Sequence, residues 1–255
     1  MLRKLVVLLV VLFAFPLFAG HRFHASAVAV GGTDLPSVAS VSLAPTGGDG
    51  ASTMRDYDDG VVRFAEATSV VRGSRDGDFA VTSSEVTIRN LVIAGRIRAD
   101  VVIARINERH AANAPEAEIT FEGSSIENLT IDGVPVTAAL DHAYFAARPT
   151  FDAMSAAGVA ASRSGTMLCN ARGAASCGAV RDETWGIVIP GLGVLTIGEV
   201  FVTRGHRELN MVRLERTPPA DTPRRPARIA VNDGGTPKSV VVGSVTGNGT
   251  DFGPP

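Results

Sequence analysis

Apolar and polar positions alternate through much of the middle of the chain. Between residues 116 and 122 the period is two, with Ala117, Ile119 and Phe121 facing one way and Glu116, Glu118, Thr120 and Glu122 the other. That pattern predicts a strand with one buried face and one acidic, solvated face. Ile97, Ala99, Val101 and Ile103 alternate with Arg96, Arg98, Asp100 and Val102, which predicts a second strand of the same kind. Apolar stretches over residues 61–71 and 79–81 are separated by the turn-rich residues 72–77, and residues 105–115 read as a polar loop. Further strands are expected over residues 184–189, 194–203 and 209–215, the first two joined through Pro190-Gly191. Residues 138–162 are alanine-rich, and Thr150 is placed to cap a short helix from Phe151 to about Ala157.

One phrase occurs twice. Ile88-Arg89-Asn90-Leu91-Val92-Ile93-Ala94-Gly95 returns as Ile126-Glu127-Asn128-Leu129-Thr130-Ile131-Asp132-Gly133, identical at Ile88/Ile126, Asn90/Asn128, Leu91/Leu129, Ile93/Ile131 and Gly95/Gly133. Each copy is rich in β-branched residues and ends on glycine, so each predicts a strand entering a tight turn or bulge. The asparagines, repeated at one place, are expected to serve the backbone of a turn. Two copies are too few for a solenoid, which needs about three stacked units to bury a continuous core. The expected fold is therefore mainly β: a single antiparallel β-domain, sandwich or roll, with a short helical insertion.

Composition divides the chain. Residues 1–27 read as a signal peptide: Arg3 and Lys4 form a positive n-region, residues 5–18 are an apolar run too short to span a bilayer comfortably, and Ala25-Ser26-Ala27 supplies small residues before a cut. An uncleaved anchor is the rival reading. Residues 28–56, small and polar, predict a flexible N-terminal arm; residues 57–215 the β-domain, with an insertion at 138–181; and residues 216–255 a mostly disordered tail, in which 227–231 and 239–245 are able to form a hairpin. Formal charge is −2, and −5 once residues 1–27 are removed, with acidic and basic side chains mixed along the chain. This balance argues against a nucleic-acid partner. No second apolar segment of spanning length follows, so no membrane span is expected after signal removal.

The series Asn-Leu-x-Ile-x-Gly, Ile97-Arg98-Ala99-Asp100, Leu129 to Val136, Ile189-Pro190-Gly191-Leu192-Gly193 and a closing strand resembles the choice-of-anchor P family of secreted bacterial proteins, over about residues 61–215. The chain departs from that pattern in the insertion at 138–181 and in showing no C-terminal sorting motif. The resemblance implies an exported, envelope-associated domain and carries over no catalytic residue.

Candidate chemistry is sparse. His110, His142 and His206 lie beyond the leader without zinc-hydrolase spacing, and no Gly-x-Ser-x-Gly turn occurs. Asp141-His142 with a distant serine such as Ser164 is the one conceivable triad, against which stands a simple surface pair. Asp56, Asp58 and Asp59 resemble the start of a calcium loop without its closing acidic ligand. Trp185 with Phe201 is either a sugar-stacking platform or core. Asn128-Leu129-Thr130 and Asn248-Gly249-Thr250 are formal glycosylation sequons. Cys169 and Cys177, the only cysteines, predict a disulfide tying down the insertion, worth about 2–3 kcal/mol in the chain-entropy model. No catalytic residue, metal site or cofactor is assigned. The expected function is a secreted or envelope-exposed, non-enzymatic β-domain acting on an extracellular or envelope component. A glycan- or envelope-component-binding module and a secreted hydrolase are the alternatives.

Overall fold

The computed structural model describes residues 22–33, 35–156, 167–170, 178–179, 186–202, 206–216 and 239–248. The strands of the N-terminal half are β1 (Ser26–Gly32), β2 (Leu35–Ser42), β3 (Gly48–Asp58), β4 (Val62–Asp76), β5 (Phe79–Ile93), β6 (Ile97–Ala111), β7 (Glu118–Thr120), β8 (Ser125–Glu127), β9 (Thr130–Ile131) and β10 (Val134–Ala139). Helices α1 (His142–Ala146) and α2 (Phe151–Ala156) follow. Then come β11 (Met167–Asn170), β12 (Gly178–Ala179), β13 (Gly186–Ile189), β14 (Gly193–Val202), β15 (His206–Arg216) and β16 (Ser239–Asn248).

Every pairing is antiparallel. One sheet has the order β13-β14-β15-β16-β1-β2; the other has β12-β11-β10-β9-β6-β5-β4-β3, with β7 and β8 also on β6. The sheets face each other, β2 over β3 and β4, β1 over β4 and β5, β16 over β5 and β6. Val30, Val242, Val245, Leu209 and Leu214 from one sheet and Phe64, Val86, Ile88, Val102 and Ile106 from the other fill the space between. The mainly β, antiparallel architecture with two short helices agrees with the sequence pattern, and it is a two-layer sandwich.

Three boundaries differ from expectation. Residues 28–56 are strands and not a loose arm: β1 lies inside the first sheet, hydrogen-bonded to β2 and β16, with Ala27, Ala29 and Val30 fully buried. Small residues there serve close packing, not flexibility. Folding begins ahead of Val28 as well, because the buried Phe23 lies against Gly73, where a Cβ would come within 2.9 Å of its ring. At the other end, β16 comes from the expected tail and is the strand between β15 and β1. The hairpin expected between 227–231 and 239–245 falls in part on 227–231, which lie outside the described residues.

The expected connection at 72–77 is also mostly strand, since β4 runs to Asp76 and turns at Gly77. Likewise the expected polar loop at 105–115 is strand to Ala111. Its inward positions carry Glu108 and His110, so the apolar signal stops while the period of two continues.

The repeat specifies a shape. Ile88 and Ile126 both pair with Val102, and Ile93 and Ile131 both pair with Ile97, so the two copies flank β6 on opposite edges. Each copy ends in a turn whose central residues have positive φ, Ala94 (50°) and Gly95 (70°) in one, Asp132 (52°) and Gly133 (74°) in the other. Turns of that hand match the twist of the flanking strands. Asn90 (56°) and Asn128 (52°) occupy the left-handed region too, which Asn tolerates better than most residues.

They belong to a line across the sheet. Asp56, Ala65, Asn90, Asp100 and Asn128 follow one another from β3 to the β8–β9 junction at the one row where strand pairing lapses, and positive φ falls on alternate strands at Asp56, Asn90 and Asn128. All five are exposed. The facing sheet has the same device: Gly198, Met211, Gly243, Ala29 and Ala39 form a buried row, with positive φ at Gly198, Gly243 and Ala39. Crossing the row changes which side chains face inward. On β6 these are Ile97 and Ala99 before Asp100, then Val102, Ala104 and Ile106 after it, which corrects the uninterrupted alternation expected for this strand.

Candidate functional site

The end of the sandwich away from the repeat turns holds buried charge. Along β6 the inward series Val102, Ala104, Ile106 continues into Glu108 and His110, both nearly inaccessible. Arg207, at the start of β15 in the facing sheet, is completely buried, and its Nε lies 3.5 Å from Glu108 Oε1. Gly247, Arg207's partner on β16, makes room for the carboxylate: a Cβ there would stand 2.6 Å from Glu108 Cδ. Burial lowers the Arg207 pKa from its usual value, and the charges of Glu108 and Glu116 oppose that shift. His110 donates from Nε2 to the Ala114 carbonyl at 3.0 Å, tying the β6–β7 connection to the end of β6.

A cleft of about 280 Å³ opens beside this cluster, lined among others by Phe79, Arg109, Pro115, Glu116, Glu118 and Asp152. Arg109 lies flat on the Phe79 ring, 3.4 Å from its centroid, and stands opposite Glu118 in the β6–β7 ladder. Glu118, Thr120 and Glu122 are exposed as the period of two predicted, but Glu116 is not: only 5% of it is accessible. Its Oε2 accepts from the Asp152 amide at 3.2 Å, while Oε1, also buried, has no hydrogen-bond partner. The near wall is α2, whose start is capped by Thr150 Oγ1 accepting from the Ala153 amide at 3.2 Å, as the sequence indicates. Ahead of it, α1 presses Phe145 edge-on against Phe121, with ring centroids 4.7 Å apart.

The residues singled out from sequence are mostly used elsewhere. The Asp141 carboxylate caps α1 by accepting from the Tyr144 amide, and His142 donates from Nε2 to the Ser124 carbonyl at 3.1 Å, so these two neighbours hold the chain and do not face each other as an acid–base pair. Ser164, Trp185 and Cys177 lie outside the described residues; Cys169 is on β11. The Asp58 and Asp59 carboxylates close the β3–β4 turn by accepting from the amides of Gly60 and of Val61 and Val62. Partial burial raises the Asp59 pKa, but the Val62 and Val61 amides outweigh it and hold the value below the ordinary one. Asp56 belongs to the bend row. Among the described residues no group of three or more His, Cys, Asp or Glu is arranged to hold a metal ion. Asn128 donates from Nδ2 to the Asp100 carboxylate across the bend row at 2.7 Å, a bond to a side chain and not to a turn backbone. His206 pairs with Glu208 on the surface, at 3.0 Å.

Sequence reasoning passed over Glu108 and Arg207. The available signal was the continuing two-residue period from Val102 through His110, which places Glu108 on the inward face.

Fold and site together define a two-sheet antiparallel β-sandwich with an ionic cluster buried at one end and a small acidic cleft beside it. The model of a family described as a domain of unknown function, DUF8256, matches residues 21–164, more than half of the chain, and the protein belongs to that family. The matched span holds β1 to β10 and both helices, while β13 to β16 of the first sheet lie beyond it. No curated protein and no solved structure matches the chain. Among the described residues no helix is long and apolar enough to cross a membrane.

Proposed function

We propose that the protein is an exported, non-enzymatic β-domain of interaction type, acting at the cell envelope or outside it through the cleft end of the sandwich. The observation that carries this reading is a small cleft, lined by Phe79, Arg109, Glu116, Glu118 and Asp152 among others, at one end of the two-sheet frame. Binding groups are commonly presented on connections held by such a frame. The cleft's neighbouring histidine, His110, is engaged with a backbone carbonyl, and His142 with another, which favours presentation of a surface over acid–base chemistry. On the outer face of the second sheet Arg55 pairs with Glu66, Arg72 with Asp49 and Arg105 with Glu85. As for glycan, the aromatic ring in the cleft, Phe79, already has one face covered by Arg109.

Export rests on the N-terminal apolar run together with where the core begins. A cut after Ala27 would strip Phe23, Ala25 and part of β1 from the sandwich, so a cut ahead of Phe23 is the one this reading favours. Fractionation of producing cells with N-terminal sequencing tests this: the expected product lies outside the cytoplasm, lacks Met1 and retains Phe23. A cytoplasmic product retaining Met1 overturns export. Hydrolytic turnover that His142→Ala abolishes overturns the non-enzymatic part.

A further inference from the structure

We infer that the free edge of β3 joins two copies of this chain, β3 running antiparallel to β3 of the second copy about a two-fold axis at Ser52; the inference lies beyond the cleft reading above and does not depend on it.

Strand β3 ends the second sheet. It is paired to β4 on one side, and among the described residues no strand pairs with its other side. A row of backbone N–H and C=O groups at a sheet edge is a template for a further strand, which edges commonly discourage with proline, lysine or a bulge. β2, an edge strand of the facing sheet, has Pro36 and the positive φ of Ala39. From Gly48 to Arg55, β3 has neither proline nor lysine, pairs with β4 without a break and is mostly exposed.

This edge is complementary to itself. Positive φ marks both ends of the straight run, at Gly48 (107°) and Asp56 (51°), and Ser52 is its midpoint. An antiparallel pairing centred there sets Asp49 opposite Arg55 of the second copy, and Arg55 opposite its Asp49. Both side chains belong to the outer face, where Asp49 adjoins Arg72 and Arg55 adjoins Glu66. The row across the seam then runs Arg72, Asp49, Arg55, Glu66, alternating in sign. Opposite charges directly across an antiparallel pair stabilise it and like charges oppose it. Centring the pair on Ala51 or Thr53 loses both matches.

The inner face fits the same register. Gly50 and Met54 stand opposite the buried Val71 and Ala67 of β4, which puts them on the core side, yet Met54 is 41% accessible. Pairing about Ser52 brings Met54 opposite Gly50 of the second copy. Val41 closes over that glycine, since a Cβ there would come within 2.9 Å of Val41 Cγ2, so the exposed thioether gains an apolar neighbour.

The test uses the full chain as recovered from producing cells, followed by sedimentation velocity from micromolar to millimolar concentration. A monomer–dimer equilibrium is expected, with amide hydrogen exchange slowing within residues 49–55 as the dimer forms. Asp49→Arg and Arg55→Asp each set like charges across the seam twice, and each should weaken dimerisation about tenfold. Mixed in equal amounts, the two variants should associate again, because one chain then presents two cations to the other's two anions. Both positions are mostly exposed, and thermal melting reports whether the variants fold. If either does not, the exchange measurement on the parent carries the test. A parent that stays monomeric, a dimer whose exchange does not slow within 49–55, or folded variants that associate no better mixed than alone overturns the inference.

Discussion

The two ends of the sandwich are held by opposite means. At one, three turns crowd together, and Arg96 joins them, donating to both Asp132 oxygens at 2.6 and 2.7 Å and to the Pro190 carbonyl at 2.6 Å. Both side chains remain a third to a half exposed. At the other, Arg207 and Glu108 are 3.5 Å apart with almost no exposure. Contact length ranks the pairs one way and energetic consequence the other. The short exposed pair competes with water and salt and its charges are well solvated when apart. Arg207 and Glu108 are removed from water, so taking one away deprives a buried charge of a neighbour of opposite sign.

Only one change is expected to undo both ends together. β16 runs from Ser239 beside the repeat turns to Gly247 beside Glu108, lies between β15 and β1, and buries Val240, Val242 and Val245. Ending the chain before Ser239 leaves two interior strand edges unpaired and opens the core. The truncated protein should show no cooperative thermal transition by circular dichroism. A cooperative melt at the parental Tm would falsify the central placement of β16.

Next in size is the cleft end alone. Glu108→Ala leaves Arg207 buried without its neighbouring carboxylate and should cost about 3–5 kcal/mol in denaturant titration, the range for breaking a buried pair by removing one member. Adding Arg207→Met to that variant should restore part of the loss, because the buried charge goes with it. Arg96→Ala, at the opposite end, should shift the midpoint far less. If the ordering reverses, exposure is not what separates the ends.

The same contrast governs how much of each end can be read from sequence. Turns and bends that need positive φ draw on a few residue types, so Asn90, Gly95, Asn128 and Gly133 leave a visible repeat even though their strands are 38 residues apart. The β-class itself follows from the alternation around Ile119 and from the density of β-branched residues. Hidden from this kind of reading are the places where the core is not apolar or not large. Glu108 and His110 disguise the end of β6 as a loop. Ala27, Ala29 and Gly243 disguise two interior strands as linker and tail, because in a narrow sandwich a small side chain is what lets the facing layer approach, as Gly243 does for Val102 and Ala104. Glu116 reads as the start of a strand, but it lies on the bend ahead of β7, and its carboxylate is buried against α2, accepting from the Asp152 amide 36 residues further on.

The smallest expected effect isolates charge at the turn end. Asp132→Asn keeps a residue that accepts positive φ ahead of Gly133, and Asn-Gly is itself a favoured pair for such a turn, so the hairpin should keep its shape. What is lost is the bidentate bond from Arg96, which holds the Asp132 pKa below the ordinary carboxylate value. In the unfolded chain that carboxyl titrates near its usual value of about 3.9. Because the folded value is the lower of the two, the ionised side chain adds stability above the unfolded value, and that increment is lost as pH falls through the folded value. The variant has no such increment at any pH. Its midpoint in denaturant should therefore lie slightly below that of the parent near neutrality, and the gap should close on acidification through the region below about pH 4. Added salt at neutral pH should narrow the gap as well, since the pair is open to solvent. A difference that stays constant from neutral to strongly acidic solution would mean that residue 132 acts through turn geometry alone, and that the exposed end owes nothing measurable to its ion pair.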